Sequence, residues 1–191
     1  MTEIKIGVIG LGYVGLPLAV EFSQSYNTLG LDLSSERVCD LNNYEDNTNE
    51  LSQKKLQHAI EVNALTLTSN PLDLSSCNFF IISVPTPIDA YKVPDLKPLL
   101  GASKTVAQLL SKGDIVVFES TVYPGATEEE CVPVLEEFSG LTYNEDFYCG
   151  YSPERINPGD DIHTLTNIIK LTSGSNKETS EKVDSVYKSI I

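Results

Sequence analysis

Short, mainly apolar runs are interspersed along this chain with longer stretches in which apolar residues recur every three or four positions. The runs, at residues 4–9, 28–33, 65–68, 79–84, 115–118, 147–150 and 168–172, have the length of strands, and 79–84 has the continuity of a strand buried on both faces. The intervening stretches, at 13–22, 35–41, 52–62, 96–110, 127–138 and 177–191, carry helical spacing. Ser34 and Thr127 precede or open two of them as hydroxyl caps, and Glu128, Glu129 and Glu130 suit a helix N-terminus electrostatically, so no metal is assigned to that acid run. Strands and helices that largely alternate predict an α/β fold: a Rossmann-type, doubly wound, mainly parallel sheet between two helical layers. The 191 residues suffice for one such domain.

The first strand–helix junction is the organising stretch, IKIGVIGLGYVGLP. Gly10 allows the sharp turn, Gly12 lets the backbone approach a pyrophosphate, and Gly15 lets the helix lie close on the strand. The helix N-terminus then offers N–H groups and a partial positive charge to phosphates. Seventeen residues after Gly15, Asp32 ends the second run, placed to accept hydrogen bonds from ribose hydroxyls. The pair of signals predicts a dinucleotide site. Asp32 repels a 2′-phosphate and no arginine adjoins it, so NAD(H) is expected over NADP(H).

Composition narrows the partners. Thirteen basic against twenty-seven acidic residues give a net charge of −14, which disfavours nucleic acid. A hydrophobic fraction of 41% rules out a disordered chain, and no apolar run approaches membrane-spanning length. No leader is visible, so the cytoplasm is the expected location. Cys39, Cys77, Cys131 and Cys149 lack metal or disulfide spacing and read as reduced thiols. Arg37 reads, on local pattern alone, as an exposed helix charge, and residues 42–50 as an acidic loop without periodicity. Pro85 and Pro87 end the fourth strand of the expected sheet at the ligand crevice, since proline cannot continue a ladder.

Four pieces stand at successive strand ends: GLGYVGLP at 10–17, SVPTP at 83–87, ESTVYPGAT at 119–127 and SPERINPGD at 152–160. In this order and spacing they resemble the UDP-glucose/GDP-mannose dehydrogenase family, over essentially the whole chain. The SPER form is most similar to members acting on UDP-N-acetylhexosamines. The resemblance implies oxidation of the sugar C6 alcohol to the uronic acid in two NAD-dependent steps, feeding capsule, O-antigen and other surface polysaccharides. It implies Tyr13, Val14 and Gly15 beside the pyrophosphate, and Asp32 and Arg37 at the adenosine ribose. Pro85, Thr86, Ser120 and Thr121 would line the nicotinamide side. It makes Thr121 and Glu154 catalytic, Thr121 orienting a water or the substrate hydroxyl and Glu154 accepting a proton through that water. Arg155 and Ile156 would touch the UDP-sugar.

One departure concerns the chemistry. In the family, the nucleophilic cysteine that forms a thiohemiacetal, with its accompanying lysine and asparagine, lies in later domains, and none of the four cysteines here sits in that motif. Residues 1–191 are therefore expected to be the N-terminal NAD-binding domain of a longer enzyme, without the central helix that makes it a homodimer or the UDP-binding domain. The final helix, expected to run to Ile191 with an uncapped apolar end, points the same way. Two other readings stand beside this one: a β-hydroxyacid dehydrogenase N-terminal domain, against which SPERINPGD argues, and a non-catalytic NAD-sensing module.

Overall fold

The computed structural model describes residues 3–88, 90–91, 93–154 and 169–191. Among these, the strands are β1 Lys5–Ile9, β2 Asn27–Leu31, β3 Thr66–Thr68, β4 Phe79–Ile82, β5 Ile115–Phe118, β6 Tyr148–Tyr151 and β7 Ser173–Gly174. They form one sheet in the order β3-β2-β1-β4-β5-β6-β7, parallel throughout except for β7, which runs antiparallel to β6. The helices are α1 Gly15–Phe22, α2 Ser35–Asn42, α3 Gln53–Glu61, α4 Lys97–Ala107, α5 Val132–Ser139 and α6 Lys177–Tyr187. β1 pairs with β2 on one side and β4 on the other. The strand order reverses there, and that reversal opens a crevice at the carboxyl ends of β1 and β4.

Alternate residues of the central strands serve the two helical layers, as the pleat requires. Ile6, Val8, Phe79, Ile81, Ile115 and Val117 pack with α1, α2, α3 and α6. Ile9, Phe80, Ile82, Val116 and Phe118 pack with α4 and α5. Each buried side chain of this size contributes about 1.5–3 kcal/mol, so both faces of these strands must be apolar. The expected cap Ser34 accepts from the amide of Arg37, and Ser52, at the start of the third helical stretch, caps α3 by accepting from the amide of Lys55.

Three expectations change. The helix drawn from Thr127 is a widened π-turn over Thr127–Cys131 that passes into α5, and its N-cap is Ala126, without a side-chain cap. Pro133 supplies the cause: it has no N–H for the carbonyl four residues back, and its ring pushes that turn open. The run 168–172 is not a strand at 169–172, and residue 168 lies outside the described residues. Lys170, in the middle of that run, turns its side chain fully inward, and pairing with β6 begins only at Ser173. Finally, α6 ends at Tyr187, after which the chain turns and Ile190 packs into the core, with Ile191 half exposed.

Candidate functional site

The glycine loop between β1 and α1 sits at the crevice. Gly10 has φ +93°, a left-handed conformation that favours glycine, and its amide donates to the Leu31 carbonyl at 2.8 Å. A Cβ at Gly15 would lie 1.8 Å from the Gly10 carbonyl oxygen and 2.3 Å from Ser83 Oγ. Ser83 itself donates to the Ile9 and Gly10 carbonyls at 3.1 and 2.9 Å, locking the loop against the end of β4. At Gly12, by contrast, a Cβ would meet nothing within 4 Å. One glycine is required by the protein's own packing, and the other leaves open space. Tyr13 is exposed beside it, and Val14 N-caps α1 without a side-chain cap; the Leu16 amide donates to the Gly12 carbonyl and Pro17 has no N–H, which leaves the Gly15 amide as the first-turn donor for an anion.

Asp32 stands at the end of β2 with its carboxylate turned to the loop, accepting from the amides of Leu11 (3.0 Å) and Ser34 (2.9 Å). An ionised carboxylate has about four acceptor positions, so room remains for two ribose hydroxyls. Arg37 is not the exposed charge that local pattern suggests. Its Nε and Nη2 donate to the Leu11 carbonyl at 3.0 and 2.9 Å, and Nη2 reaches Asp46 Oδ1 at 2.8 Å. Asp46 also accepts from Thr48 and from the amides of Glu50 and Leu51. Burial alone would raise this carboxyl, but the bonds from Thr48, Arg37 and the backbone hold it below the ordinary aspartate value. Thus the loop read as featureless is gathered around Asp46 and fastened through Arg37 to the glycine loop.

Two clefts meet at Gly12, Ser83, Val84 and Pro85. The first, about 420 Å³, is walled by Asp32 and Leu33 on one side and by Lys97, Gly101 and Thr105 of α4 on the other. The second, about 340 Å³, runs over Tyr13 and Val14 to Thr86, Ser120, Thr121 and Glu154. The loops after β4 and β5 are tied together there: Thr86 Oγ1 donates to the Thr121 carbonyl at 2.8 Å and Ser120 Oγ to the Val84 carbonyl at 2.6 Å. β5 and β6 pair as far as Phe118 and Tyr151, which brings Glu154 to the same end as Thr121 although 33 positions separate them. Arg155 and Ile156 lie outside the described residues.

Behind the second cleft lies a buried cluster of which the sequence had pointed only to Glu154. Lys170 Nζ donates to Glu119 Oε2 at 2.6 Å and to Glu154 Oε2 at 3.4 Å, and Tyr187 donates to Glu119 Oε1 at 2.5 Å. Burial pushes the Glu119 carboxyl up to about 7, against the opposing effect of Lys170 and Tyr187. An unfolded glutamate ionises near 4.5, so folding favours the protonated form. The resulting stabilisation is complete below about 4.5 and is lost as pH rises through about 7. Urea unfolding of the domain at stepped pH should show that decline, and Glu119→Gln should flatten it. An unchanged slope in the variant would show that Glu119 is not its source.

None of the cysteines lines either cleft. Burial pushes the Cys77 and Cys131 thiols up to about 11 and the Cys149 thiol well above its ordinary value, the reverse of what a nucleophilic thiolate needs. Among the described residues no group of three or more His, Cys, Asp or Glu could hold a metal, and no helix is long and apolar enough to cross a membrane.

The fold and the glycine cradle together define a dinucleotide-binding domain of a dehydrogenase, and the residues present fit NAD. The space at Gly12 suits a pyrophosphate and the carboxylate of Asp32 an unphosphorylated ribose. Residues 4–191 match the family model of the UDP-glucose/GDP-mannose dehydrogenase family, NAD binding domain. The chain belongs to this family and is its NAD-binding domain. The UDP-N-acetyl-D-glucosamine 6-dehydrogenase of Pseudomonas aeruginosa is 56% identical over 191 residues, all of this chain and 44% of that protein. Protein CapL of Staphylococcus aureus is 52% identical over 187 residues, 98% of this chain and 43% of that protein. A solved UDP-D-ManNAc dehydrogenase from Pyrococcus horikoshii superposes with TM-score 0.90 at 33% identity, covering 98% of this chain and 45% of that one. The chain thus spans less than half the length of these relatives.

Proposed function

We propose that these residues serve a nucleotide-sugar 6-dehydrogenase, which oxidises the C6 alcohol of a UDP-N-acetylhexosamine to the uronic acid in two NAD-dependent steps for surface polysaccharide synthesis. The observation that carries this reading is the meeting of Glu154 with Ser120 and Thr121 at one end of a cleft that continues to the glycine loop. When bound, NAD accepts hydride. Asp32 holds the adenosine ribose, and the Gly12 to Gly15 amides and Tyr13 flank the pyrophosphate. Pro85, Thr86 and Ser120 shape the nicotinamide end. Thr121 orients the substrate hydroxyl or a water, and Glu154 takes up the proton through that water. Arg155 and Ile156 touch the sugar. The thiolate needed for the second oxidation comes from a part of the protein outside these residues, in keeping with the raised thiols of Cys77, Cys131 and Cys149. The same reading makes the full-length protein a cytoplasmic homodimer, joined through a central helix outside these residues.

The test uses the purified full-length protein with UDP-GlcNAc, UDP-GalNAc, UDP-ManNAc and UDP-glucose, following NADH absorbance and the sugar product. The expected outcome is two NADH per sugar from at least one UDP-N-acetylhexosamine, little activity with NADP, and NADH binding without turnover by the isolated 191 residues. Absence of turnover with every UDP-sugar, alongside intact NADH binding, would favour a cofactor-sensing module instead.

A further inference from the structure

The buried cluster behind the second cleft joins four elements: Glu119 follows β5, Glu154 follows β6, Lys170 precedes β7 and Tyr187 ends α6. The side chains of Lys170 and Glu119 are wholly buried, and that of Glu154 is 12% exposed toward the cleft. A buried ammonium must be paired, and Glu119 at 2.6 Å meets that need. Glu119 is in turn fastened from its other oxygen by the Tyr187 hydroxyl, whose ring lies 6.0 Å from Lys170 Nζ. Where Glu119 is ionised, above about pH 7, charge pairing for the fold is therefore complete without Glu154. The second contact of the same ammonium, 3.4 Å to Glu154 Oε2, instead acts on the carboxylate that is open to the cleft between Tyr13 and Thr121; Glu119 also lines that cleft, but its side chain is wholly buried.

We propose that Lys170 is a positioning residue: braced by Glu119 and Tyr187, its ammonium holds the Glu154 carboxylate in the orientation that proton uptake from the substrate requires. The inference rests on the role given to Glu154 above. Lys170 is wholly buried and lines neither cleft, so it acts only through Glu154. Loss of orientation by about an ångström costs on the order of 10²-fold in rate.

The experiment is a double-mutant cycle in the full-length enzyme, reading kcat, KM for the UDP-sugar, NADH affinity and thermal midpoint. Lys170→Met is expected to lower kcat about 10–100-fold with NADH affinity unchanged, and Lys170→Arg to restore most of it. In a Glu154→Gln background, Lys170→Met should cost less than about twofold more, because its only route of action is already gone. Near-normal kcat in Lys170→Met, with Glu154→Gln impaired, would overturn the inference alone. So would a further loss of the same size in the Glu154→Gln background, which marks a merely structural part. Normal kcat in Glu154→Gln would remove the role of Glu154 itself, and with it this inference. Should Lys170→Met fail to fold, Glu119→Gln/Lys170→Met removes both charges of the buried pair and is read in the same cycle against Glu119→Gln. The same 10–100-fold loss supports positioning, and its absence refutes it.

Discussion

Glu154→Gln in the full-length enzyme is expected to lower kcat by about 10²–10⁴-fold, the usual worth of general acid–base help. The variant keeps the size of the side chain and removes only its charge, so NAD affinity and the thermal midpoint should stay close to wild type. Both loops that frame the residue are tied by backbone-directed bonds that do not involve it, Thr86 to Thr121 and Ser120 to Val84. If Glu154 were no more than a second partner of the buried Lys170, its loss would appear in stability and leave turnover intact. Steady-state kinetics with a calorimetric NADH titration separates the two cases, and unchanged kcat would take Glu154 out of the site.

The second large effect is expected at the glycine loop, where two neighbouring substitutions should act oppositely. Gly15→Ala places a methyl 1.8 Å from a backbone carbonyl, so the loop or α1 must move by more than an ångström. Overpacking of this kind costs about 1–3 kcal/mol or more, and each kcal/mol lowers the melting temperature of a domain this size by about 2–4 °C. Melting should drop by several degrees and NADH binding should be lost with it. Gly12→Ala meets nothing in the protein and should melt normally while losing NADH affinity, because its methyl enters the space meant for the pyrophosphate. Differential scanning fluorimetry beside isothermal titration gives both readings. Gly12→Ala binding NADH as well as wild type would remove Gly12 from the phosphate contact.

The sheet was legible because strands covered on both faces admit only apolar side chains, so 79–82 and 115–118 announce themselves without any neighbour in view. The glycine loop was legible for a similar reason: a left-handed turn at Gly10 and a helix pressed on a carbonyl at Gly15 are demands on single residues. Thr121 and Glu154 were marked only through the resemblance of ESTVYPGAT and SPERINPGD to a known family. The partners that fix those residues were not marked. Asp46 lies in a polar loop without periodicity, and its pairing with Arg37 depends on that loop crossing the glycine turn. Ser83 seemed only part of a strand terminator, yet its hydroxyl closes the loop from the adjacent strand.

Lys170 was hidden most deeply, because a single lysine in an apolar run looks like an edge-strand residue until β5, β6 and α6 are packed around it. What the amino-acid sequence determined by itself was the set of elements, the demands of the glycine loop and the chemical groups at the strand ends, since each depends on residues adjacent in the chain. Only the tertiary structure decided that Lys170 bridges Glu119 and Glu154 and that Arg37 fastens the Asp46 loop to the cofactor turn. Buried charges must find partners wherever the packing of distant segments puts them, and no local spacing encodes that meeting.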